Sequence, residues 1–135
     1  MRPPAKARAK TPAPAEGRET DARHAAGRQA EDLAAGFLAA RGLRVIERNY
    51  RCRLGEIDLI AADGAALVFV EVRLRRNGGF GGAAESITAK KRQRILRAAR
   101  HYLSGQPERT CRFDVVLLDA LDTERIEWIR DAFGE

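Results

Sequence analysis

The stretch Gly55–Arg73, GEIDLIAADGAALVFVEVR, constrains the fold of this chain more than any other. Two apolar runs flank Asp63-Gly64, a dipeptide that favours tight hairpin turns because both residues tolerate positive φ. A four-residue loop at Asp63 to Ala66 and a two-residue loop at Gly64-Ala65 give the same pairing. In either case Ala62 faces Leu67, Asp58 faces Glu71, and Glu56 faces Arg73. Strand side chains alternate between faces. One face then carries Ile57, Leu59, Ala61, Val68, Val70 and Val72, and belongs against a core. The other carries Glu56, Asp58, Ile60, Phe69, Glu71 and Arg73. A slip of one residue would swap the two sets, so the apolar set holds the register.

The polar end of the second face has two readings. In the simpler one the face is solvated and Glu56 pairs with Arg73 across the strands. Against this, two like charges directly opposite one another are destabilising. Asp58 opposite Glu71 therefore calls for a divalent cation or a shared proton. One or two carboxylates with retained waters suit Mg²⁺. Glu31 is a further acid at the edge of an apolar helical stripe, either reaching over the sheet toward this pair or standing in water.

Ala30, Leu33, Ala34, Phe37 and Leu38 recur at helical spacing, and Gly42 is a natural stop, predicting a helix over residues 24–41. Leu43 to Arg48 alternates as a strand. Asn49 to Leu54 is a polar connection or the same edge strand continued. After the hairpin come a glycine-rich loop, NGGFGGAAE, a basic helix from Ser86 to Leu103, a buried strand RFDVVLLD, and RIEWIRDAF, a strand with or without a last turn. The order is mixed α/β. Residues 1–22 are rich in Pro, Ala, Arg and Lys and lack large apolar groups after Met1, so a disordered basic tail is expected there. Residues 23–135 then form one domain.

The basic helix carries Lys90, Lys91, Arg92, Arg94, Arg97 and Arg100 beside an apolar stripe. With Arg73, Arg75 and Arg76 and the glycine loop before it, it forms either a solvated face or a surface that tracks phosphates. Lys and Arg number 25 against 19 Asp and Glu, for a net charge of +6. That excess favours polyanionic partners without fixing a fold. The glycines precede no GKS or GKT, so a P-loop is excluded. His24 and His101 lack a Ser or Cys partner for triad chemistry. Cys52 and Cys111 form no CxxC and read as reduced thiols of the cytoplasm. No apolar run approaches the roughly 20 residues of a membrane span. Trp128 reads as core or edge packing, or else as an interaction surface.

The motifs together go further. GRQAEDLA, RNYRCRLGEIDLIA, FVEVRLR, AKKRQRI and RFDVV resemble the YraN family of small bacterial proteins, over about Gly27 to Phe133. That family is similar in pattern to the PD-(D/E)xK nucleases, near the Holliday-junction resolvases. The resemblance implies a restriction-endonuclease-like fold, a central mixed sheet flanked by helices. It also implies Mg²⁺- or Mn²⁺-dependent phosphodiester hydrolysis, with DNA favoured over RNA, on branched or single-stranded structures. Glu31, Asp58 and Glu71 match the acids of that site and its metal ligands, and Arg73 stands at its lysine. Gln93 sits near a supporting polar position, Glu56 supports the site as the cross-strand neighbour of Arg73, and a homodimer follows by analogy. Arg73 cannot act as a base, because guanidinium stays protonated. It retains an electrostatic role. The other expectation is therefore a nucleic-acid-binding module that keeps the fold with a weakened site.

Overall fold

The computed structural model describes residues 15–74, 87–119 and 126–134, with side chains from His24 onward. Its elements are α1 (Ala15–Ala40), β1 (Arg44–Cys52), β2 (Gly55–Asp63), β3 (Ala66–Leu74), α2 (Ala89–Leu103), β4 (Cys111–Leu118) and β5 (Ile126–Phe133). The five strands form one sheet in the order β1-β2-β3-β4-β5. Only β3 and β4 run parallel, and the other pairs are antiparallel. A parallel neighbour needs a long crossover, and α2 lies within it. This α/β arrangement, helix, three strands, helix, two strands, is restriction-endonuclease-like, as the resemblance implies.

α1 begins at Ala15, earlier than the apolar periodicity marks, so residues 15–22 of the expected tail are helical. Ala, Glu and Arg in AEGRETDAR are strong helix formers, and helix propensity needs no apolar stripe. Residues 1–14 lie outside the described residues. The helix ends as the sequence predicts. Gly42, at φ 96, donates to Ala39, and Leu43 donates to Leu38, so the last carbonyls are satisfied in a Schellman motif. α2 begins at Ala89 rather than Ser86, because the Thr88 hydroxyl caps it by accepting from the Lys91 amide at 3.1 Å.

The hairpin has the expected register. Asp63 pairs with Ala66, Ala62 with Leu67 and Leu59 with Val70, around the two-residue turn Gly64-Ala65. Both of its faces are covered. α1 lies over Leu59, Ala61, Val68 and Val70, joined by Val116 and Leu118. α2 lies over Ile60, Leu67, Phe69 and Phe113. The second face is therefore solvated only at its polar end. Ile57 departs from the expected alternation and joins the α2 side. The change of side falls between the paired residues Tyr50/Ile57 and Arg48/Leu59, where Asn49 takes a left-handed φ of 53. β1 runs unbroken to Cys52, so Asn49 to Leu54 is mostly edge strand. RIEWIRDAF has no closing helical turn, since β5 continues as a strand to Phe133 through an irregularity at Asp131, whose φ is 53. No helix among the described residues is long and apolar enough to cross a membrane.

Gly55 sets the approach of α2 to the sheet. A Cβ there would lie 2.5 Å from the Arg94 carbonyl oxygen. Gly55→Ala is expected to destabilise the fold by about 1–3 kcal/mol through overpacking against helix backbone. Gly36→Ala, on α1 with nothing within 4 Å of the new methyl, is expected to stabilise it by about 0.5–1 kcal/mol. Urea denaturation of the two variants checks both signs.

Candidate active site

The ladder between β2 and β3 stops at Leu59 and Val70, one residue short of Asp58 and Glu71. Beyond that point the Val72 amide, released from pairing with β2, donates to Asp58 Oδ2 at 2.8 Å. The Asp58 carboxylate thus takes the place of a backbone partner and is fixed at the fork of the two strands. Glu71 follows one residue after the last β3 position paired with β2 and is only 4% exposed. Asp58 and Glu71 lie close enough that each carboxyl's ionisation depends on the other's.

The fork opens into a cleft of about 290 Å³ lined by Gly27, Ala30, Glu31, Asp58, Glu71, Val72, Arg73, Leu74 and Lys91. All four residues expected to form the site, Glu31, Asp58, Glu71 and Arg73, line it. Lys91 is an addition. Its Nζ lies 3.3 Å from Glu71 Oε2, while Arg73 Nη1 lies 3.9 Å from the same oxygen. In the sequence Lys91 stands among the cations expected to track phosphates. One signal locates it better. Lys91 precedes the buried Ile95 by four residues and the buried Ala98 by seven, so it continues the apolar stripe of α2 toward the sheet.

Other candidates sit elsewhere. Glu56 is exposed and pairs with Arg51 of β1 at 3.2 Å, not with Arg73. The reason is the fork, because β2 and β3 no longer face each other there while β1 and β2 still do, with Arg51 opposite Glu56. Gln93, Lys90, Arg94 and Arg97 are exposed on α2 and do not line the cleft. Arg75, Arg76 and the glycine loop lie outside the described residues. Trp128 is half-buried: it packs edge-on against Phe37 and donates to Asp114 Oδ2 at 2.9 Å. The interaction-surface reading for it is therefore not favoured.

The electrostatics follow from burial. Desolvation, then the neighbouring Glu71, pushes the Asp58 carboxyl up to about 7, against the lowering effect of the Val72 amide. Burial also pushes Glu71 up, opposed chiefly by Lys91 and then by Arg73. Glu31 is raised by burial and by Asp58, and is partly compensated by a hydrogen bond with the Asn49 side chain and by Arg48. Among the described residues no three His, Cys, Asp or Glu side chains form a ready-made metal cage. The donor set still fits a hard cation. The Asp58 and Glu71 carboxylates could offer oxygen ligands to Mg²⁺, which keeps its other positions for water or phosphate.

Asp58 gives a pH test of this arrangement. Its folded pKa lies above its unfolded value, so the proton stabilises the fold at low pH, and that stability is lost as pH rises toward and through about 7. In metal-free buffer the Tm of the wild type is expected to fall from pH 5 to pH 8 relative to Asp58→Asn. The Asn oxygen can still accept from Val72. Parallel Tm curves for the two proteins would contradict the raised Asp58 carboxyl.

Comparison with known proteins agrees with the motifs. A family model, uncharacterised protein family UPF0102, matches residues 30–118, from the helix of Glu31 to the end of β4. A UPF0102 protein of Dechloromonas aromatica is 59% identical over 114 residues, covering 84% of this chain and 92% of its own length. One from Nitrosospira multiformis is 57% identical over 108 residues, covering 79% of this chain and 91% of its own. One from Ralstonia nicotianae is 55% identical over 116 residues, covering 82% and 87%. With motifs, fold and relatives in agreement, the chain belongs to the UPF0102 family, the YraN family that its sequence resembles.

Proposed function

We propose that this protein is a divalent-metal-dependent nuclease that hydrolyses phosphodiester bonds in DNA, with branched or single-stranded structures as its substrates. The observation that carries the reading is the Asp58–Glu71 pair. A buried Glu71 and a half-buried Asp58 stand together at a strand fork, Asp58 pushed up to about 7, and two cations converge on one Glu71 oxygen. A purely structural pair would gain more from apolar replacement, whereas perturbed titrating groups gathered in a cleft are a mark of function.

A bound Mg²⁺ or Mn²⁺ would neutralise the scissile phosphate and lower the pKa of a bound water. Asp58 and Glu71 would hold it, with Glu31 completing the donors directly or through water. Hydrolysis adds water across one P–O bond and leaves a phosphate monoester and a hydroxyl. Arg73 keeps its charge at every accessible pH, so its part is to hold the phosphate oxygens and the charge that develops on them. The exposed Lys90, Arg94 and Arg97 extend one basic surface along α2, suited to the flanking backbone. Two half-buried free thiols, Cys52 and Cys111, fit a reducing cytoplasm. A homodimer, by analogy with resolvases, would present two clefts to one branched substrate.

The test is cleavage of labelled linear, flap and four-way DNA, and of RNA, in Mg²⁺ and Mn²⁺. Wild type is expected to cut DNA, and Asp58→Asn and Glu71→Gln are each expected to lose on the order of 10²-fold or more in rate. Arg73→Lys separates the two readings. If wild type cuts none of these substrates but this variant does, the protein is a binding module whose scaffold remains competent. If neither cuts, the nuclease reading is wrong.

A further inference from the structure

Lys91 is held differently from the other cations of α2. Lys90, Arg94 and Arg97 are exposed, whereas Lys91 is half-buried at the first turn and reaches Glu71 Oε2 at 3.3 Å. Below it Ile95, Ala98 and Ala99 anchor the helix against the sheet, and Thr88 caps the turn through the Lys91 amide. The stem is thus fixed at its base. Its ammonium end is not enclosed, since the side chain remains 36% exposed and lines the open cleft. An ammonium on four methylenes can rotate its donors from one oxygen to another, which a planar guanidinium fork does less readily.

Glu71 cannot keep both partners at full strength. A divalent cation bound at the Asp58–Glu71 fork would satisfy the charge that Lys91 now neutralises. The ammonium would then stand beside a doubly charged ion and be repelled from it, with the cleft as its open side. A phosphate bound there supplies the anionic oxygens it has lost.

We propose that Lys91 is an exchangeable cation of this site. It neutralises Glu71 in the metal-free protein and turns to the bound phosphate when a divalent cation takes Glu71 over. The proposal rests on the metal-site reading above, but not on turnover. It makes Lys91 a competitor of the metal and, once the metal is bound, a phosphate ligand. A lysine that only tracked nucleic acid would bind phosphate equally well with or without metal. One that was only structural would affect neither.

The experiment uses the full chain with Lys91→Met and, as a second variant, Lys91→Gln. Mn²⁺ affinity is measured by calorimetry, and affinity for a fluorescein-labelled DNA oligonucleotide is measured in EDTA and in Ca²⁺. Mn²⁺ is expected to bind both variants at least about fivefold more tightly than wild type, a typical coupling between competing sites. The oligonucleotide is expected to bind them about tenfold more weakly than wild type in Ca²⁺, the span of 1.4 kcal/mol, and equally well in EDTA. Arg41→Gln removes one charge remote from the cleft and is expected to change neither reading. Unchanged Mn²⁺ affinity, or an equal loss of oligonucleotide binding in EDTA and Ca²⁺, would overturn the proposal. If wild type binds Mn²⁺ as expected yet cleaves nothing, the nuclease reading fails while these binding measurements still decide the role of Lys91. If wild type binds no Mn²⁺, both fall.

Discussion

The hydrogen bond from the Val72 amide to Asp58 Oδ2 organises the rest of the site. A strand amide ordinarily pairs with a neighbouring carbonyl, and leaving one unpaired in a buried setting is costly. Here a side-chain carboxylate replaces the carbonyl, and β2 and β3 separate beyond Leu59 and Val70. The separation opens the cleft and frees Glu56 to pair with β1. It also leaves Glu71 at the edge of the α2-covered side, within reach of a lysine from the first turn of the helix.

The arrangement runs against local stability. Desolvation raises both Asp58 and Glu71, and the neighbouring Glu71 raises Asp58 further. Lys91 and Arg73 offset this at Glu71 without removing it. Conflicts between local stability and observed residue choice concentrate where function requires them. The neighbouring strand β4 shows the contrast, with Asp114 opposite Val70. Asp114 is fully buried, yet it accepts from Arg112, from Trp128 and from the Asp131 amide, at 2.9 to 3.2 Å. That carboxylate is fully partnered, and its environment reads as structure.

Much of this was legible in the residues. The hairpin register follows from period-two alternation and Asp-Gly chemistry, and the Gly42 stop follows from the left-handed position a helix end requires. The meeting of Asp58 and Glu71 follows from the same register. What escaped depends on tertiary geometry. Uniform alternation puts Ile57 on the same side as Leu59, but a left-handed Asn49 and the fork put them on opposite sides. Continued pairing gives Glu56 to Arg73, but the fork gives it to Arg51. Lys91 was visible as a cation in a basic run, and only its phase relative to Ile95 and Ala98 distinguishes it from Lys90. The start of α1 at Ala15 escaped because its first turns rest on propensity rather than an apolar stripe.

Lys91 of α2 and Arg73 of β3 set positive charge beside the acids of the fork within one cleft. The central claim is that the fork is a divalent-cation site. Anomalous diffraction from crystals grown with Mn²⁺ tests it most directly. The account predicts a peak bound by carboxylate oxygens of Asp58 and Glu71, with Lys91 turned away from Glu71. Crystals that show no peak at the fork, with Lys91 still paired to Glu71 at saturating Mn²⁺, would contradict it.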